Sequence, residues 1–144
     1  MFRLRMFLLV GMLFSSPGVA QAQQCLHANT ETSDERQRRS DAVAALRTLN
    51  TAQMMNRSIA QRFVDFQELV ASAAWASMNR SGKLSTVPGT DLLPGFVLHL
   101  TTDGGRYSIS LKDKTDPCGF TVYTNDQGVI FAGYPIDYVV IPSK

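Results

Sequence analysis

The chain of 144 residues contains 14 lysines and arginines, 12 aspartates and glutamates, and two cysteines. Two of the basic residues, Arg3 and Arg5, and none of the acidic ones lie in residues 1–22, so residues 23–144 carry no net charge when the histidines are neutral. A neutral chain offers no electrostatic attraction for nucleic acid or for an anionic membrane surface. The composition therefore predicts no nucleic-acid partner.

The first 22 residues have the organisation of a cleavable secretory signal. The two arginines form a positive n-region, residues 6–14 are apolar apart from one glycine, and Ala20 and Ala22 fit the A-x-A cleavage rule. The apolar stretch is far shorter than the roughly 20 residues that cross a membrane. We therefore expect a signal peptide at 1–22. A single exported domain at 23–144 would follow, periplasmic or secreted, with no membrane span after cleavage.

Both cysteines, Cys25 and Cys118, lie after the expected cleavage site. An even pair of cysteines in an exported protein usually forms a disulfide, so we predict a Cys25–Cys118 bond. The alternative for Cys25 is lipidation, because this residue follows the signal so closely. Small residues directly precede the cysteine of a lipoprotein signal, whereas Gln23 and Gln24 stand there in this chain.

A long helix is predicted to begin near Thr32. Thr32 and Glu35 have the spacing of a capping box, in which each side chain satisfies a backbone N–H at the start of the helix. The apolar residues that follow have helical spacing and define one narrow, alanine-rich stripe: Ala42, Ala45, Leu46, Leu49 and Ala52. A stripe of this kind predicts a helix that lies closely along a sheet.

A second helical segment, a helix or a helical turn with a short loop, is predicted over 59–78, followed by a loop at 79–94 that is rich in proline and glycine. The helical part of the domain would thus cover 32–78. Its aromatic residues could in principle form a ligand-stacking platform. At helical spacing they are more often core residues; they are Phe63, Phe66 and Trp75.

From residue 95 the apolar residues alternate with polar ones, which is the pattern of half-buried strands. The run 103–105 and the run 125–128 contain the glycines of hairpin turns. In the first strand the alternation places Leu98 inward and His99 outward. We therefore predict an α+β fold, in which an N-terminal amphipathic helix and a second helical segment pack on a four-stranded antiparallel meander at 95–141.

Parts of this pattern resemble a known family. The run DAVAALRTLNTAQ at 41–53 resembles the amphipathic half of the long N-terminal helix of bacterial type IV pilin-like and pseudopilin proteins. The runs YSISL at 107–111, DPCGF at 116–120 and DQGVI at 126–130 are similar to the sheet hairpins of some such proteins. The resemblance implies a pilin-like globular head.

The chain also departs from that family. Pilins enter the membrane and polymerise through a long apolar helix directly after a short basic leader. Here an ordinary signal peptide and a polar segment at 23–40 take its place. The resemblance therefore implies an exported head domain without the helix through which pilins assemble.

Few residues in the sequence indicate chemistry. The two histidines, His27 and His99, do not have the spacing of a zinc site, and no serine-hydrolase elbow or phosphate-binding loop is present. Asp113 and Asp116 are the best-placed carboxylates, because oxygen ligands clustered in a loop can hold Ca²⁺. The same residues are also typical of a plain turn. We predict no cofactor and no catalytic residue.

Three functions remain open at this point. The leading hypothesis is a non-catalytic exported domain that binds another protein of the cell envelope or the exterior. The second is a binder of a small ligand or Ca²⁺ through the loops around Asp113 and Asn125. The third is a hydrolase whose catalytic residues form no recognisable motif.

Overall fold

The computed structural model describes residues 31–87, 90–116 and 118–134. The helices in these ranges are α1 (Ser33–Ala60), α2 (Phe66–Val70) and α3 (Ala73–Met78). The strands are β1 (Phe96–Thr102), β2 (Tyr107–Asp113), β3 (Thr121–Asn125) and β4 (Phe131–Gly133). The α+β fold predicted from the sequence is confirmed, since the helical elements come first and pack on a four-stranded antiparallel sheet.

Helix α1 begins where the capping box predicts. The Glu35 backbone N–H donates to Thr32 Oγ1 at 3.2 Å, and the Thr32 backbone N–H donates to Glu35 Oε2 at 2.7 Å. The predicted apolar stripe is buried and faces β2 and β3. Alanines in that stripe bring the helix axis close to the sheet, as the narrow pattern indicated.

The second helical segment is not one helix, and the prediction of helical spacing over 59–78 is wrong in its first part. Helix α1 continues through Ile59, which is 73% exposed, and the chain then turns at Gln61 in the left-handed region with a φ of 61°. The turn inserts Phe63 and Val64 into the core, where both are fully buried. Burial of these two side chains in an extended segment outweighs the local preference for helix.

A buried glutamine holds the segment after the turn. Gln53 is fully buried on α1; its Nε2 donates to the Val64 carbonyl at 2.6 Å, and its Oε1 accepts from the Val64 N–H at 3.2 Å. Both amide groups and both backbone groups are thereby satisfied without water. Helices α2 and α3 follow, with the N-caps Asp65 and Ser72.

The strands are neighbours in the order β1-β2-β3-β4, each pair antiparallel, so the predicted meander is confirmed. Gly104, with a φ of 86°, supplies the left-handed residue that the first hairpin turn needs. Pairing in the fourth strand begins at Phe131, and Val129 before it is 51% exposed. The expected continuation of the sheet to 141 falls largely on residues 135–144, outside the described part of the chain.

The sheet has one covered and one open face. On the covered face, Ile109, Leu111 and Val122 are fully buried beneath α1. On the other face, strand β1 presents His99, which is exposed as predicted. Leu98 points to the covered face as predicted and packs against the core, but it stays partly exposed. The reason is that β1 is an edge strand beyond the part of the sheet on which α1 packs.

None of the helices within the described ranges is both long and apolar enough to cross a membrane.

Candidate functional site

The two carboxylates singled out in the sequence lie together, but they are engaged by arginines of α1. Asp113 ends β2 and is 6% exposed. Its Oδ1 accepts from Arg38 Nη2 at 2.5 Å, from the Thr115 N–H at 2.8 Å and from Thr115 Oγ1 at 2.9 Å. One oxygen thus anchors the helix and shapes the loop after β2.

Arg39 makes the neighbouring contact. Its guanidinium lies 2.8 Å from Glu31 Oε1 and 3.4 Å from Asp116 Oδ2, and it donates to the Tyr134 hydroxyl. The same guanidinium lies over the Phe120 ring, 4.7 Å from its centroid. A planar cation can form ion pairs at its edge and stack through its face. Arg39 therefore connects α1 both to the loop between β2 and β3 and to Tyr134, the residue after β4.

The protonation of Asp113 follows from these contacts. Burial alone raises the pKa of this carboxyl, but the hydrogen bonds from Thr115 and the positive charge of Arg38 outweigh it and hold the pKa below its ordinary value. The group is therefore ionised at neutral pH and paired with a cation that belongs to the protein.

A cleft of about 190 Å³ lies over this cluster. Its lining contains three carboxylates and two guanidiniums, and each guanidinium pairs with one carboxylate, Arg38 with Asp113 and Arg39 with Asp116. The lining residues are Glu35, Arg38, Arg39, Asp113, Thr115 and Asp116. Within the described ranges, no three histidine, cysteine, aspartate or glutamate side chains are placed so that they could hold one metal ion together. Arginines at the positions where a divalent cation would bind disfavour the calcium hypothesis, and we interpret the cluster as a structural clamp, here called the arginine clamp.

The cysteine prediction can be followed at one end. Cys118 is half-buried in the loop between β2 and β3, where its backbone N–H donates to Asp116 Oδ1 at 2.8 Å. No cysteine in the described part of the chain is a free thiol. Cys25 lies outside the described residues, so the Cys25–Cys118 bond stays a prediction.

The aromatic residues of the helical part belong to the core. Phe63 is fully buried and Trp75 is 4% exposed, while Phe66 is half-buried against Trp75 with ring centroids 6.5 Å apart. Phe63 also meets the Tyr107 ring edge-on at 4.6 Å. The interpretation as core residues is confirmed for Phe63 and Trp75, and Phe66 packs against the same core cluster.

A different feature, the free edge of β1, is open to a partner. The Lys114 N–H donates to the Gly95 carbonyl at 2.8 Å, and the Asp103 N–H donates to the Arg106 carbonyl at 3.3 Å. In an antiparallel ladder the backbone groups of alternate residues point to the same side. The backbone N–H and C=O groups of the odd-numbered residues of β1 therefore point toward β2. Those of Leu98 and Leu100 point away from the sheet.

These outward groups have no partner among the described residues. No hydrogen bond from a loop or a side chain there reaches the backbone of Leu98 or Leu100. Strand β1 has the sequence FVLHLTT, seven residues without a lysine, an acidic residue or a proline. Natural sheets usually protect an edge with such residues or by keeping the edge strand short. The β1 edge has neither kind of protection.

The opposite edge is protected by its shortness. Strand β4 has three residues. The Asp113 N–H donates to the Phe120 carbonyl at 2.8 Å, so the backbone groups of the even-numbered residues of β3 point toward β2 and those of the odd-numbered residues point toward β4. It follows that the backbone groups of Phe131 and Gly133 point toward β3, and that within β4 only those of Ala132 point outward. A strand of this length cannot hold an incoming strand in register.

Sequence reasoning did not anticipate the arginine clamp or the open edge. The clamp joins residues 75 positions apart, and its only local signal is two arginines in a helical stretch with no apolar residue. The edge depends on strand order, which a hairpin pattern does not specify. Comparison of the chain with protein-family models, with characterised proteins and with solved structures finds no match.

Proposed function

We propose that this protein is an exported, non-catalytic domain with a pilin-like head, which acts by binding an extended segment of a protein along the free edge of β1. The observation that carries the proposal is the unprotected seven-residue edge, with the backbone groups of Leu98 and Leu100 directed outward. Addition of a strand to such an edge is a common mode of recognition, in which the main chain supplies affinity.

The side chains of β1 support this mode. Leu98 and Leu100 are half-buried on the covered face, so an added strand would remove their remaining apolar surface from water. Alternate side chains of the added strand would contact them, and this contact would give the site its specificity. A peptide with apolar residues at every second position is the expected ligand class.

Export is supported by the signal-like residues 1–22 and by the cysteine pair. An oxidising compartment would allow Cys25 to bond with Cys118 and to fix the polar segment before α1 to the β2–β3 loop. The location would then be the periplasm or the exterior of the cell.

The pilin-like part of the proposal has one structural support. A long helix lying along an antiparallel meander is the arrangement that the resemblance implies, and α1 over β2 and β3 has this form. Absence of catalytic function is supported by the arginine clamp, whose carboxylates are committed to arginines. The hydrolase and calcium hypotheses gain no comparable support.

Photo-crosslinking in cells tests the proposal. A photoreactive amino acid replaces His99, which is exposed on β1, and in a control protein it replaces Gln67, which is exposed on α2. We expect protein adducts from position 99 and few from position 67, with the linked peptide identified by mass spectrometry. Equal adducts at both positions, or none at position 99, would contradict the proposal.

A further inference from the structure

We infer that the segment added to β1 is residues 136–141 of a second copy of this chain, so that copies associate head to tail through the sheet. The inference rests on the proposed function, because it names the occupant of the same edge. It is carried by three observations: the open β1 edge, the composition of residues 136–141, and the single residue that separates them from Tyr134 in the sequence.

The composition of residues 136–141 is that of a strand. Their sequence is IDYVVI, with β-branched or aromatic residues at five of six positions, and they lie between Pro135 and Pro142. Prolines lack the N–H that a sheet ladder needs, so they limit pairing to the six residues between them. This length fits the seven residues of β1.

The edge of the same copy is out of reach. The site beyond β1 lies four strand spacings from β4, about 19 Å at the usual interstrand distance. Only Pro135 separates Tyr134, the residue after β4, from Ile136, and two residue steps span about 7 Å. Residues 136–141 therefore cannot lie along β1 of their own chain over their full length.

A tight return onto β4 is disfavoured as well. In a two-residue turn after Gly133, Pro135 would occupy the third position, where a trans proline is unfavourable. Strand β4 would also offer only the outward groups of Ala132 within its three residues. The β1 edge of a second copy offers more outward backbone groups than β4, and no short link to β4 limits access to it.

The resulting contact is heterologous, because a tail on the β4 side of one copy meets an edge on the β1 side of the next. After one such contact, one copy still has an unoccupied β1 edge and the other still has an unused segment 136–141, so association can continue beyond two copies. This contact does not use the apolar N-terminal helix through which pilins assemble.

Two proline variants of the exported chain test the inference. Leu100→Pro removes an N–H that points away from β2 and so blocks the edge while leaving the β1–β2 ladder intact. Val140→Pro breaks the tail and leaves the edge intact. Ser143→Pro, outside the six-residue segment, is the matched control. Light scattering over a range of concentrations measures the mass of each protein.

We expect the average mass of the wild-type chain and of Ser143→Pro to rise with concentration, and both other variants to remain monomeric. An equimolar mixture of Leu100→Pro and Val140→Pro should form a one-to-one dimer, because one supplies a tail and the other an edge. If Leu100→Pro melts well below the wild type, the double variant His99→Lys, Thr101→Lys replaces it. Its lysines protect the edge without changing the backbone.

A wild-type chain that stays monomeric would overturn the inference. So would association that survives Val140→Pro, or a variant mixture that remains monomeric. Each of these results leaves the proposed function standing if position 99 crosslinks to a different protein. Absence of any adduct at position 99, by contrast, would remove the proposed function itself.

Discussion

Strands β1 and β2 are paired over seven positions, have equal length and similar alternation, yet they differ in what surrounds them. Strand β2 lies between two strands and beneath α1, and Tyr107, Ile109 and Leu111 on it are at most 3% exposed. On β1 the corresponding Leu98 and Leu100 are half-buried. The alternation of a strand identifies its inward face, whereas the elements packed over each position determine how completely that position is buried. Phe96, at the start of the same edge strand, is 1% exposed.

Strand β2 is not the only well-anchored element of the molecule. The arginine clamp joins α1 to the end of β2, and Cys118 lies in the loop that follows. Strand β1, by contrast, is held by the β2 ladder and by the buried Phe96, while Leu98 and Leu100 stay partly exposed. We expect the free energy of unfolding to depend mainly on α1, β2 and the loop after β2, and partner binding to depend on β1.

The largest effect is expected from Leu111→Ala. Leu111 is fully buried, so its truncation should lower the free energy of unfolding by about 2–5 kcal/mol. Its cross-strand partner Leu98 provides the matched comparison, and Leu98→Ala should cost less, about 1 kcal/mol, because the side chain is partly exposed in the folded protein. Urea unfolding of both variants measures the difference. Equal losses would mean that β1 is as well covered as β2.

Loss of the predicted Cys25–Cys118 bond should come next. A disulfide that closes a long loop restricts the unfolded chain and typically contributes about 2–4 kcal/mol. Reduction of the exported protein should therefore lower its melting temperature, and the double variant Cys25→Ser, Cys118→Ser should match the reduced wild type. Two free thiols in unfolded, unreduced protein would contradict the bond.

Asp113→Asn should lower the free energy of unfolding by about 2 kcal/mol at neutral pH, because it removes the charged acceptor of the Arg38 pair. The contribution has a defined pH range. Since the folded-state pKa of Asp113 is depressed, its stabilisation is present above the unfolded pKa of about 4 and is lost as the pH falls through the lower folded value.

The variant and the wild type should accordingly converge in stability in strong acid. Asp91→Asn serves as the control, because Asp91 pairs with Lys114 at 2.6 Å on the surface, where solvent screens the interaction. A loss as large at Asp91 as at Asp113 would mean that burial of the clamp is unimportant.

The smallest effect is expected at His99. This side chain is exposed on the open face, so His99→Ala should change the free energy of unfolding by less than about 0.5 kcal/mol. Thermal or urea unfolding measures the change. A loss comparable to that of Leu111→Ala would indicate that the open face of the sheet is covered.

The features that the sequence predicts correctly are those with local causes. Thr32 and Glu35 cap each other three residues apart, and Gly104 provides the positive φ of its turn, so neither depends on the rest of the fold. The break at Gln61 could not be predicted in this way, because its cause is the burial of Phe63 and Val64 against distant residues.

The candidate sites show the same division. Asp113 and Asp116 were selected for their charge and their loop, but their partners, Arg38 and Arg39, lie on a helix more than 70 residues earlier. The exposed edge of β1 is a consequence of strand order. Side-chain chemistry therefore indicated the two carboxylates, while their pairing with arginines of α1 depends on the tertiary fold.

Gln53 has a consequence for any attempt to redesign this core. Its position is fully buried on the same helix as the apolar stripe, so a choice based on hydrophobicity alone would place a leucine there. That choice would leave the N–H and C=O of Val64 enclosed without their present partners. The Gln53 amide pairs with the backbone of Val64 as the backbone of a neighbouring strand would. A replacement at this position must therefore supply the same donor and acceptor, and matching side-chain volume or hydrophobicity is not enough.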